Sequence, residues 1–541
     1  MVSKKPQQSV STIQVIDIDV KNDIKEQSAD FETAIAATGF GLYNVGLALA
    51  TTPIAWASAF DMTTVAFILA SAECELELTF IRKGLLASAV YMGMILSSLF
   101  WSFTTDYIRR RPFILFGLLI DLLCNLLSSL VESYFVLVLL RFITGTIVSG
   151  PFSLLIPYVN DFQPASYRAK YSTWSGLLYN IGFIIPAVLA FNVTPLPWSF
   201  VIFDKKYDAW RIYLLLCSIP SILGFVIMSF LPESPKCLMD NGYLPRAYDL
   251  FRRIYVVNNR APADTYPIKF LKEPDNRLKK KSMKASLKII HDTWENTKLI
   301  FKRPYLGPFV IIMILQFGSM LSFNTMRLWV PHMFIIINNF DYSLWDPARG
   351  NPTICEYLIP GVIPPGLTNE TFYANHTCIR WLINPSVYIN STIIAASAVG
   401  FSFVIGLFYT TKLRKKVVMV LAYLLAILSS FGTNWAQLVP LMLTLSAAIV
   451  VTSRMTSNIV IAANADVIPM PLRKTALSII TNIGSLGSIV GNLVFPKLLE
   501  IHCISAFMGM GALLIVLIYF FSSYSFLNEI FIIGVKVFHS L

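Results

Sequence analysis

Long apolar runs separated by short polar segments make up most of the chain. Six runs precede a polar stretch from Pro232 to Pro304, and six follow it. An α-helix needs about 20 apolar residues to cross a bilayer, and most of these runs reach that length. The pattern predicts an all-α polytopic membrane protein with twelve transmembrane helices in two six-helix halves. The runs cover residues 42–70, 84–104, 112–131, 134–157, 171–194 and 211–231, then 306–335, 386–410, 416–432, 437–463, 474–498 and 502–525.

The polar segments divide the predicted chain into five parts. Residues 1–38 form a polar N-terminal tail without the short apolar core of a cleavable signal peptide, and residues 526–541 form a second tail. Residues 39–231 and 306–525 are the two helical halves. A basic loop at 232–305 joins them, and the second half contains a long loop at 336–385.

Composition supports this class and excludes others. The chain has 541 residues, of which 55% are hydrophobic and only 14% are charged. A typical soluble domain has about 25% charged residues, which excludes a water-soluble globule. The seven cysteines are too scattered for a disulfide scaffold or a CxxC metal site, and the five histidines form no HExxH motif. We therefore expect no metal site, no cofactor and no enzymatic activity.

The placement of lysine and arginine predicts the orientation, because positive residues concentrate on the cytoplasmic side. With the N-terminus inside, 32 of the 43 basic residues lie in cytoplasmic segments and three lie inside helices. Both termini are therefore expected in the cytoplasm. Most of the net charge of +12 lies on that side, so nucleic acid is not needed to explain it. The eight basic residues expected outside are Arg82, Lys83, Lys205, Lys206, Arg211, Arg349, Arg380 and Lys497.

Loop 336–385 has the features of an extracytoplasmic segment. Asn369 and Asn375 begin N-x-[ST] sequons and are the predicted glycosylation sites. Cys355 and Cys378 lie in the same loop, and we expect them to form a disulfide on the oxidising side. Two cysteines expected near the same face are alternative partners, namely Cys74 and Cys503.

A short motif recurs at the same place in both halves. The segment from Asp161 to Arg168 follows the fourth run and the segment from Asp466 to Arg473 follows the tenth, and both read D-x-x-P-x-x-x-R. The loop after the second run, which ends in Arg109-Arg110-Arg111, is echoed after the eighth run. These repeats predict two homologous halves related by an axis along the membrane normal, with a solute path between them. This is the architecture of an alternating-access carrier.

Several motifs resemble those of the major facilitator superfamily, and in particular its sugar porters. Asp106, Arg110 and Arg111 match the G-x-x-x-D-x-x-G-R-R loop between helices two and three. Ser102 and Arg109 replace the two glycines of that loop. Further matches are the fourth-helix motif Leu137-x-x-x-Arg141-x-x-x-Gly145, the sugar-porter segment from Tyr158 to Arg168, and the PESP segment Pro232-Glu233-Ser234-Pro235.

A narrower resemblance is to the synaptic vesicle glycoprotein 2 group and its insect relatives. It covers about residues 31–250 and thins in the second half to Trp329-Val-Pro331. The resemblance implies a twelve-helix major facilitator fold and a role in transport. The antiporter motif G-P-x-x-G-G is absent from helix five, which disfavours a drug–proton antiporter. The segments that carry the likeness run from Phe31 to Gly41, from Ala72 to Leu76 and from Tyr91 to Met94, with Lys83-Gly84 and Trp210-Arg211.

Five ionisable residues fall inside predicted helices, where each costs about 2.5–3.5 kcal/mol to insert. The superfamily resemblance implies that helices one, four, seven and ten line a central cavity, and four of the five lie on them. A rise of about 1.5 Å per residue puts Arg141 at a depth where it can pair with Asp61 or Asp121. We interpret Asp61 as a proton-coupling site, with a permanent structural ion pair as the alternative. The five residues are Asp61, Asp121, Arg141, Arg327 and Arg454.

Other candidates for the cavity lie on helices seven and ten. An anionic group on the substrate would complete the site at Arg454, and snorkelling to the surface is the alternative for Arg327. Trp329 is a candidate for stacking on a sugar ring or an organic cation, although tryptophan also lines membrane interfaces. Gln316 resembles the start of the sugar-porter Q-Q-L motif. We assign these four residues to the central cavity, together with Asp61 and Arg141.

Charged residues also cluster at the predicted cytoplasmic ends of the helices. Their family matches imply a salt-bridge network that latches the inner face closed. As solvated surface pairs, the alternative, they would contribute only about 0–1 kcal/mol each. The predicted gate residues are Asp106, Arg110, Arg111, Asp161, Arg168, Glu233, Asp466 and Arg473.

Two functions fit these features. The first is a secondary carrier for a small organic solute (a sugar, an organic cation or an organic anion), with a coupling proton as an open option. The second is a non-transporting vesicle or surface membrane glycoprotein with a binding or regulatory role, which the replaced loop glycines and the weak sugar motif favour. Either would reside in the lipid bilayer of the plasma membrane or of a secretory or synaptic-type vesicle.

Overall fold

The computed structural model describes residues 28–104, 109–196, 199–202, 205–272, 298–302, 305–340, 350–358, 385–408, 412–469 and 472–539. Among the residues singled out above, Asp106, Asn369, Asn375 and Cys378 lie outside these ranges, as does the side chain of Asp466. The described residues are almost entirely helical, and the strands among them form two short two-stranded sheets.

The first half contains the first six predicted crossings and a folded extension. Strands β2 (Ser199–Ile202) and β3 (Lys205–Asp208) form an antiparallel hairpin before the sixth crossing. The other elements are β1 (Ser28–Ala29), α1 (Phe31–Ala37), α2 (Leu42–Ile68), α3 (Phe80–Thr104), α4 (Arg110–Leu130), α5 (Tyr134–Ser149), α6 (Leu155–Asn160), α7 (Ala165–Ile181), α8 (Ile185–Val193), α9 (Ala209–Leu216), α10 (Ile219–Phe230), α11 (Pro235–Asp240), α12 (Leu244–Asn259) and β4 (Phe270–Leu271).

The second half contains six helices among the described residues. Its last helix leaves helical geometry at His502, where the sequence predicts the boundary between the eleventh and twelfth crossings. The elements are α13 (Leu306–Asn338), α14 (Ile354–Leu358), α15 (Ser386–Phe408), α16 (Lys412–Thr433), α17 (Val439–Val467) and α18 (Arg473–His539).

The length and apolar character of the helices agree with an integral membrane protein. Among the described residues, nine helices are long and apolar enough to cross a membrane, or ten if the bent pair α1 and α2 counts as one span. One of the nine, Thr475–Ser522, is 48 residues long and contains the break at His502. Helix α15 contains a shorter apolar segment, Ser386–Phe401. This set is consistent with the twelve predicted crossings.

Prolines divide several of the predicted runs. Proline lacks a backbone N–H and clashes with the preceding turn, so it is tolerated in the first turn of a helix rather than in its middle. Pro186 and Pro220 occupy the first turns of α8 and α10, and the fifth and sixth runs are therefore each two helices. In the fourth run, α5 ends at Ser149, just before Gly150 and Pro151. Hydropathy alone treats these runs as continuous.

Helices α3 and α5 approach each other through reciprocal glycines. A Cβ atom at Gly93 would lie 2.1 Å from the carbonyl oxygen of Phe142, and one at Gly145 would lie 2.0 Å from that of Val90. Any side chain at either position would therefore push the two backbones apart. The glycine of the fourth-helix motif thus has a packing role, because it fixes the helix that carries Arg141 against α3.

The segment after the sixth crossing folds back onto the first half, where the sequence predicts a loop. Helix α12 packs beside the start of α2, and Asn258 Nδ2 donates a hydrogen bond of 2.8 Å to Asn44 Oδ1. The side-chain oxygen of Asn258 accepts from the backbone N–H of Tyr43 at 3.0 Å. Strands β1 and β4 pair in parallel beyond this helix. Residues 232–272 are therefore a folded extension of the first half.

The two copies of the D-x-x-P-x-x-x-R motif adopt the same local hydrogen bond. Arg168 Nε donates to the carbonyl oxygen of Gln163 at 3.1 Å, and Arg473 Nε donates to that of Ile468 at 2.9 Å. In both cases the acceptor is the residue that precedes the motif's first proline. This equivalence supports the internal repeat that the sequence predicts.

The predicted disulfide between Cys355 and Cys378 is wrong. Cys355 pairs with Cys503, 148 residues further along the chain, and Cys74 is also disulfide-bonded. Cys355 lies in α14, which packs against α18 just after its break at His502. The sequence favoured the nearest cysteine in the same loop, whereas the fold brings the loop against the start of the last crossing.

We expect Cys503→Ser to destabilise the protein, because the Cys355–Cys503 bond closes a long loop in the unfolded chain. The expected loss is about 2–4 kcal/mol in the free energy of unfolding. Thermal melting of the purified protein measures it, with Cys217→Ser, a buried free cysteine, as the control for losing a thiol. Non-reducing peptide mapping should recover a Cys355–Cys503 cross-link, and a Cys355–Cys378 cross-link would contradict this pairing.

Candidate functional site

A cavity of about 650 Å³, counted with its opening, lies where the two halves meet. Residues of α2, α7 and the α7–α8 turn line one side, and residues of α13, α15 and α17 line the other. Most of the wall is apolar, and its charged groups are two guanidiniums from the second half. The lining residues are Thr63, Phe67, Asn180, Phe183, Phe323, Arg327, Val330, Pro331, Ser391, Ile394, Ala395, Ala398, Val399, Val450 and Arg454.

Arg327 bridges the two halves at the wall of this cavity. Its guanidinium donates to Thr63 Oγ1 at 2.9 Å and to the Met62 carbonyl oxygen at 3.0 Å, both on α2. It also donates to the Tyr91 hydroxyl at 2.9 Å and to Asn324 Oδ1 at 3.0 Å. These bonds hold the side chain at the contact between the halves, which argues against the alternative in which Arg327 snorkels to the surface.

Arg454 enters the cavity from α17 with fewer partners. Its Nη2 donates to Asn180 Oδ1 at 3.3 Å. Its guanidinium carbon lies 5.2 Å from the ring centre of Phe323 and 5.8 Å from that of Phe183. The guanidinium carbon of Arg327 lies 5.3 Å from each of the same two rings. Both cations therefore share one aromatic pair, which is a favourable setting for guanidinium groups.

Asp61 and Arg141 meet in a buried cluster inside the first half rather than on the cavity wall. Arg141 Nη1 lies 3.9 Å from Asp61 Oδ1, and both side chains are almost completely buried. Asn125 joins them by donating to Asp61 at 3.2 Å and accepting from Arg141 at 3.0 Å. Asn125 also donates to Asp121 at 3.1 Å, and Ser221 donates to the same carboxylate. Asp121 is thus part of the Asp61–Arg141 cluster.

Trp329 and Gln316 do not lie where the sequence analysis assigned them. Gln316 Nε2 donates to Ser457 Oγ at 3.0 Å, so this amide joins α13 to α17 within the second half. Trp329 is fully buried and stacks on Phe80, with ring centres 6.2 Å apart. Neither residue is among those that line the cavity. Hydropathy places both residues on helix seven but does not show which way each one faces.

Trp329 belongs instead to a contact that closes the predicted outer end of the interface between the halves. Lys83 Nζ lies 2.8 Å from Glu73 Oε1 and 3.1 Å from His332 Nε2, and Lys83 and His332 are each 1% exposed. Gly84 packs against Asn492 of α18, where a Cβ atom would lie 2.5 Å from the carbonyl oxygen. We call these residues, Glu73, Lys83, Gly84, Trp329, His332 and Asn492, the outer seal.

A two-half helical bundle with a central cavity and one closed end is the arrangement expected of a solute carrier. A sequence profile of the family described as "Sugar (and other) transporter" matches residues 31–334, which is more than half of the chain. The chain belongs to this family.

Synaptic vesicle glycoproteins are among the proteins whose sequences are similar to this chain. Synaptic vesicle glycoprotein 2B of Mus musculus is 24% identical over 344 residues, which cover 59% of this chain and 50% of the relative. Synaptic vesicle glycoprotein 2A of Rattus norvegicus is 24% identical over 346 residues, covering 60% and 46%. The chain thus spans about half the length of the curated relatives it matches.

Solved structures of carriers share the fold of this family member. The xylose transporter XylE from E. coli, in a partially occluded inward-open conformation, matches with a TM-score of 0.59 at 14% identity, covering 88% of this chain and 99% of that one. The nucleoside transporter NupG matches with a TM-score of 0.55 at 14% identity, covering 88% and 99%. The major facilitator fold predicted from the sequence is confirmed.

At the predicted inner face, the family motifs pack against one another. Arg110 forms an ion pair with Asp161, and the hydroxyl of Ser234 donates to the same carboxylate. Arg110 also donates to the Pro157 carbonyl oxygen at 3.0 Å. The helix 2–3 loop, the end of the fourth crossing and the PESP segment therefore meet at one carboxylate. Within the PESP segment, the serine rather than Glu233 bonds to Asp161.

The other predicted gate residues have separate partners. Arg111 donates to the Ser229 carbonyl oxygen at 2.6 Å, near the end of α10. Arg168 reaches Glu32 of α1 at 2.9 Å. Glu233 lines a small basic pocket with Arg109, Arg111 and Arg246, and its Oε1 finds no hydrogen-bond partner among the described residues. In the part of the chain that the structure describes, these contacts of the first-half gate residues therefore lie within the first half.

Several site residues escaped the sequence analysis. Asn180, Phe183 and Phe323 line the cavity, yet one amide and two phenylalanines are unremarkable in apolar helices. Lys83 was counted among the residues of an outer loop, but it is buried near the start of α3. The signal that pointed to it was its place in the Lys83-Gly84 segment of the narrower resemblance.

Proposed function

We propose that this chain is a carrier that moves a small organic solute across the membrane by alternating access, and that it is not an enzyme. The observation that carries the proposal is the cavity lined by both halves and sealed at one end. Rocking of the halves about such a cavity would open it to one side at a time. Relatives named as xylose and nucleoside transporters share the fold, which supports a small polar or charged solute.

Proton coupling at Asp61 is part of this proposal. Protonation would remove the charge of Asp61 and weaken its attraction to Arg141, which lies on a different helix of the first half. Thr63 and Met62, two positions or less along the same helix, bond to Arg327 of the second half. A change in the charge of Asp61 would therefore alter the contact between the halves. A permanent structural ion pair is the competing role.

We propose a gating role for the network around Asp161. It ties the helix 2–3 loop to the PESP segment, so its release would free the inner ends of the first-half helices. Both termini, on this proposal, lie on the same cytoplasmic side, and Asn369 and Asn375 would carry glycans on the opposite side. The membrane would be the plasma membrane or a vesicle membrane.

Uptake into proteoliposomes tests the proposal. Labelled hexoses, organic cations and carboxylates are screened with and without an imposed pH gradient, in the parent protein and in Asp61→Asn. We expect gradient-driven uptake of one solute class, and we expect Asp61→Asn to reduce it to the gradient-free level. The variant should fold, because Asp121, which is linked to Arg141 through Asn125, stays in the cluster to balance the charge of the arginine.

Asp264→Asn is the matched control, because it removes an exposed carboxylate paired with Arg252 at 2.7 Å, far from the helical bundle core. Uptake that is independent of the gradient and unchanged in Asp61→Asn would leave a facilitator and assign Asp61 the structural role. Failure of correctly oriented protein to take up any class would contradict the carrier and favour the non-transporting glycoprotein.

A further inference from the structure

Two arginines share one wall of the cavity. The guanidinium carbons of Arg327 and Arg454 lie 5.2 to 5.8 Å from the ring centres of the same two phenylalanines. The two cations are close enough to repel each other electrostatically. Two like charges held together in a low-dielectric site are unfavourable unless an opposite charge joins them.

The protein does not supply that opposite charge from the part of the chain that the structure describes. Arg327 bonds only to neutral oxygens, those of Thr63, Met62, Tyr91 and Asn324. Arg454 has the amide oxygen of Asn180 as its hydrogen-bond partner. Asp61 lies two positions before Thr63 of the cavity lining, but it is engaged with Arg141 and Asn125.

The two arginines differ in what they can offer a ligand. Arg327 already uses both terminal nitrogens in bonds that join the halves, so it contributes mainly its charge. Arg454 makes one long bond of 3.3 Å and keeps most of its five N–H donors for a ligand in the cavity. A planar guanidinium with free donors matches a carboxylate, which it binds through two parallel hydrogen bonds.

The remaining residues of the cavity wall indicate the chemical character of the rest of the ligand. Apart from the arginines and the two phenylalanines, the lining comes mostly from apolar side chains of α15 and from Val330 and Pro331 of α13. Apolar lining with few convergent polar groups is typical of sites for compact organic molecules. A sugar would leave many hydroxyl groups without partners here, because the polar lining beyond the arginines is limited to Thr63, Asn180 and Ser391.

We propose that the solute bound in this cavity is an organic carboxylate with a compact apolar body. Its carboxylate receives hydrogen bonds from Arg454, the charge of Arg327 completes the electrostatic match, and its body lies against the α15 wall. This inference rests on the proposed carrier function, because it treats the cavity as the binding site of the transported solute. Binding itself can be measured without transport.

The test uses the full-length protein in detergent and three carboxylates, benzoate, phenylacetate and hexanoate, each beside its own amide. Ligand binding raises the melting temperature in proportion to affinity and concentration. We expect at least one carboxylate to stabilise the protein and its nearly isosteric amide to have no effect. Arg454→Gln should weaken binding about tenfold or more. Arg454→Lys should weaken it less, because lysine keeps the positive charge but lacks the paired N–H donors of the planar guanidinium.

Arg252→Gln, on the exposed pair with Asp264, should bind as the parent does. The ligand-free melting temperatures of the Arg454 variants check that they fold. Asn180→Ala provides a second variant, expected to weaken binding modestly because the asparagine orients Arg454. Equal binding of acid and amide, binding unaffected by Arg454→Gln, or no binding of any of the three carboxylates would overturn the proposal.

Uptake measurements separate this inference from the carrier function. Carboxylate binding that depends on Arg454, without uptake into proteoliposomes, would keep the anion site and contradict the carrier. Uptake of a neutral or cationic solute that carboxylates do not inhibit would keep the carrier and overturn the anion site. Carboxylate uptake lost in Arg454→Gln supports both.

Discussion

Arg141→Gln is expected to cost about 3–5 kcal/mol of stability, because removing one partner of a buried ion pair leaves the other charge uncompensated. Arg141 is completely buried and faces Asp61 at 3.9 Å, with Asn125 between it and Asp121. Without the guanidinium, two neighbouring carboxylates would share a dry site without a cation. Thermal melting of the detergent-purified protein and its folded yield measure the loss.

The double variant Arg141→Gln/Asp61→Asn should recover part of that stability, because two neutral amides can hydrogen-bond to each other and to Asn125, while Asp121 stays as the one buried carboxylate of the cluster. This rescue measures the coupling between the two side chains. Arg252→Gln is the control at an exposed pair, where about 0–1 kcal/mol is expected. A melting temperature that Arg141→Gln leaves unchanged would show that the pair contributes little to folding and would favour a dynamic role for it.

This cluster illustrates what the sequence could predict about the site. Asp61 and Arg141 are charged residues in apolar runs, and counting along their helices brought them to similar depths, which is enough to propose a pair. Depth does not reveal the angular position of a residue around its helix. Depth therefore left Asp61 and Asp121 as alternative partners of Arg141, whereas Asn125 links both carboxylates to one cluster.

The same limitation explains the errors on helix seven. Helix α13 is apolar all round and is packed on several sides, so its hydropathy has no face that marks the cavity. Trp329 and Gln316 were chosen for their chemistry, yet they point toward α3 and α17, whereas Arg327 points into the cavity. The fold was easier to predict than the site, because crossing a membrane requires only length and apolar character, which are read directly from the chain.

The pattern of apolar and polar residues also could not predict contacts between residues that are far apart in the sequence. The Cys355–Cys503 bond and the Lys83–His332 contact each join residues far apart in sequence. Nothing in the local sequence around Cys355 distinguishes Cys503 from Cys378. Lys83 follows the polar segment that precedes the second crossing, so charge counting treated it as a solvated loop residue although the fold buries it against the second half.

Gly84→Leu is expected to shift the protein away from the conformation described here. A Cβ atom at Gly84 would lie 2.5 Å from the Asn492 carbonyl oxygen and 3.2 Å from Cγ of Pro496, so a side chain would act as a wedge in the outer seal. Overpacking costs about 1–3 kcal/mol, and here that cost applies to the sealed conformation alone. A penalty of that size changes the ratio of two conformations by about five- to 150-fold.

Labelling of a cysteine introduced at Ser88 measures the shift. Ser88 is fully buried one turn from Gly84, with its hydroxyl 3.5 Å from the Ile489 carbonyl oxygen across the contact between the halves. A bulky membrane-impermeant maleimide should label Ser88→Cys slowly in the parent and at least about five times faster with Gly84→Leu. The native thiols contribute little, because Cys124 and Cys217 are buried and burial raises the pKa of the Cys237 thiol to about 11.

Gly46→Leu is the matched control, since a Cβ atom at Gly46 on α2 would meet no atom within 4 Å. It changes the same residue type to the same side chain without entering the contact, so its labelling rate and melting temperature should equal those of the parent.

In an alternating-access carrier, a wedge that favours opening at one end also slows the return to the sealed conformation. Gly84→Leu should therefore reduce uptake while leaving carboxylate binding measurable. Slow labelling and normal uptake in Gly84→Leu would mean that the contact at Asn492 is not part of a seal that opens.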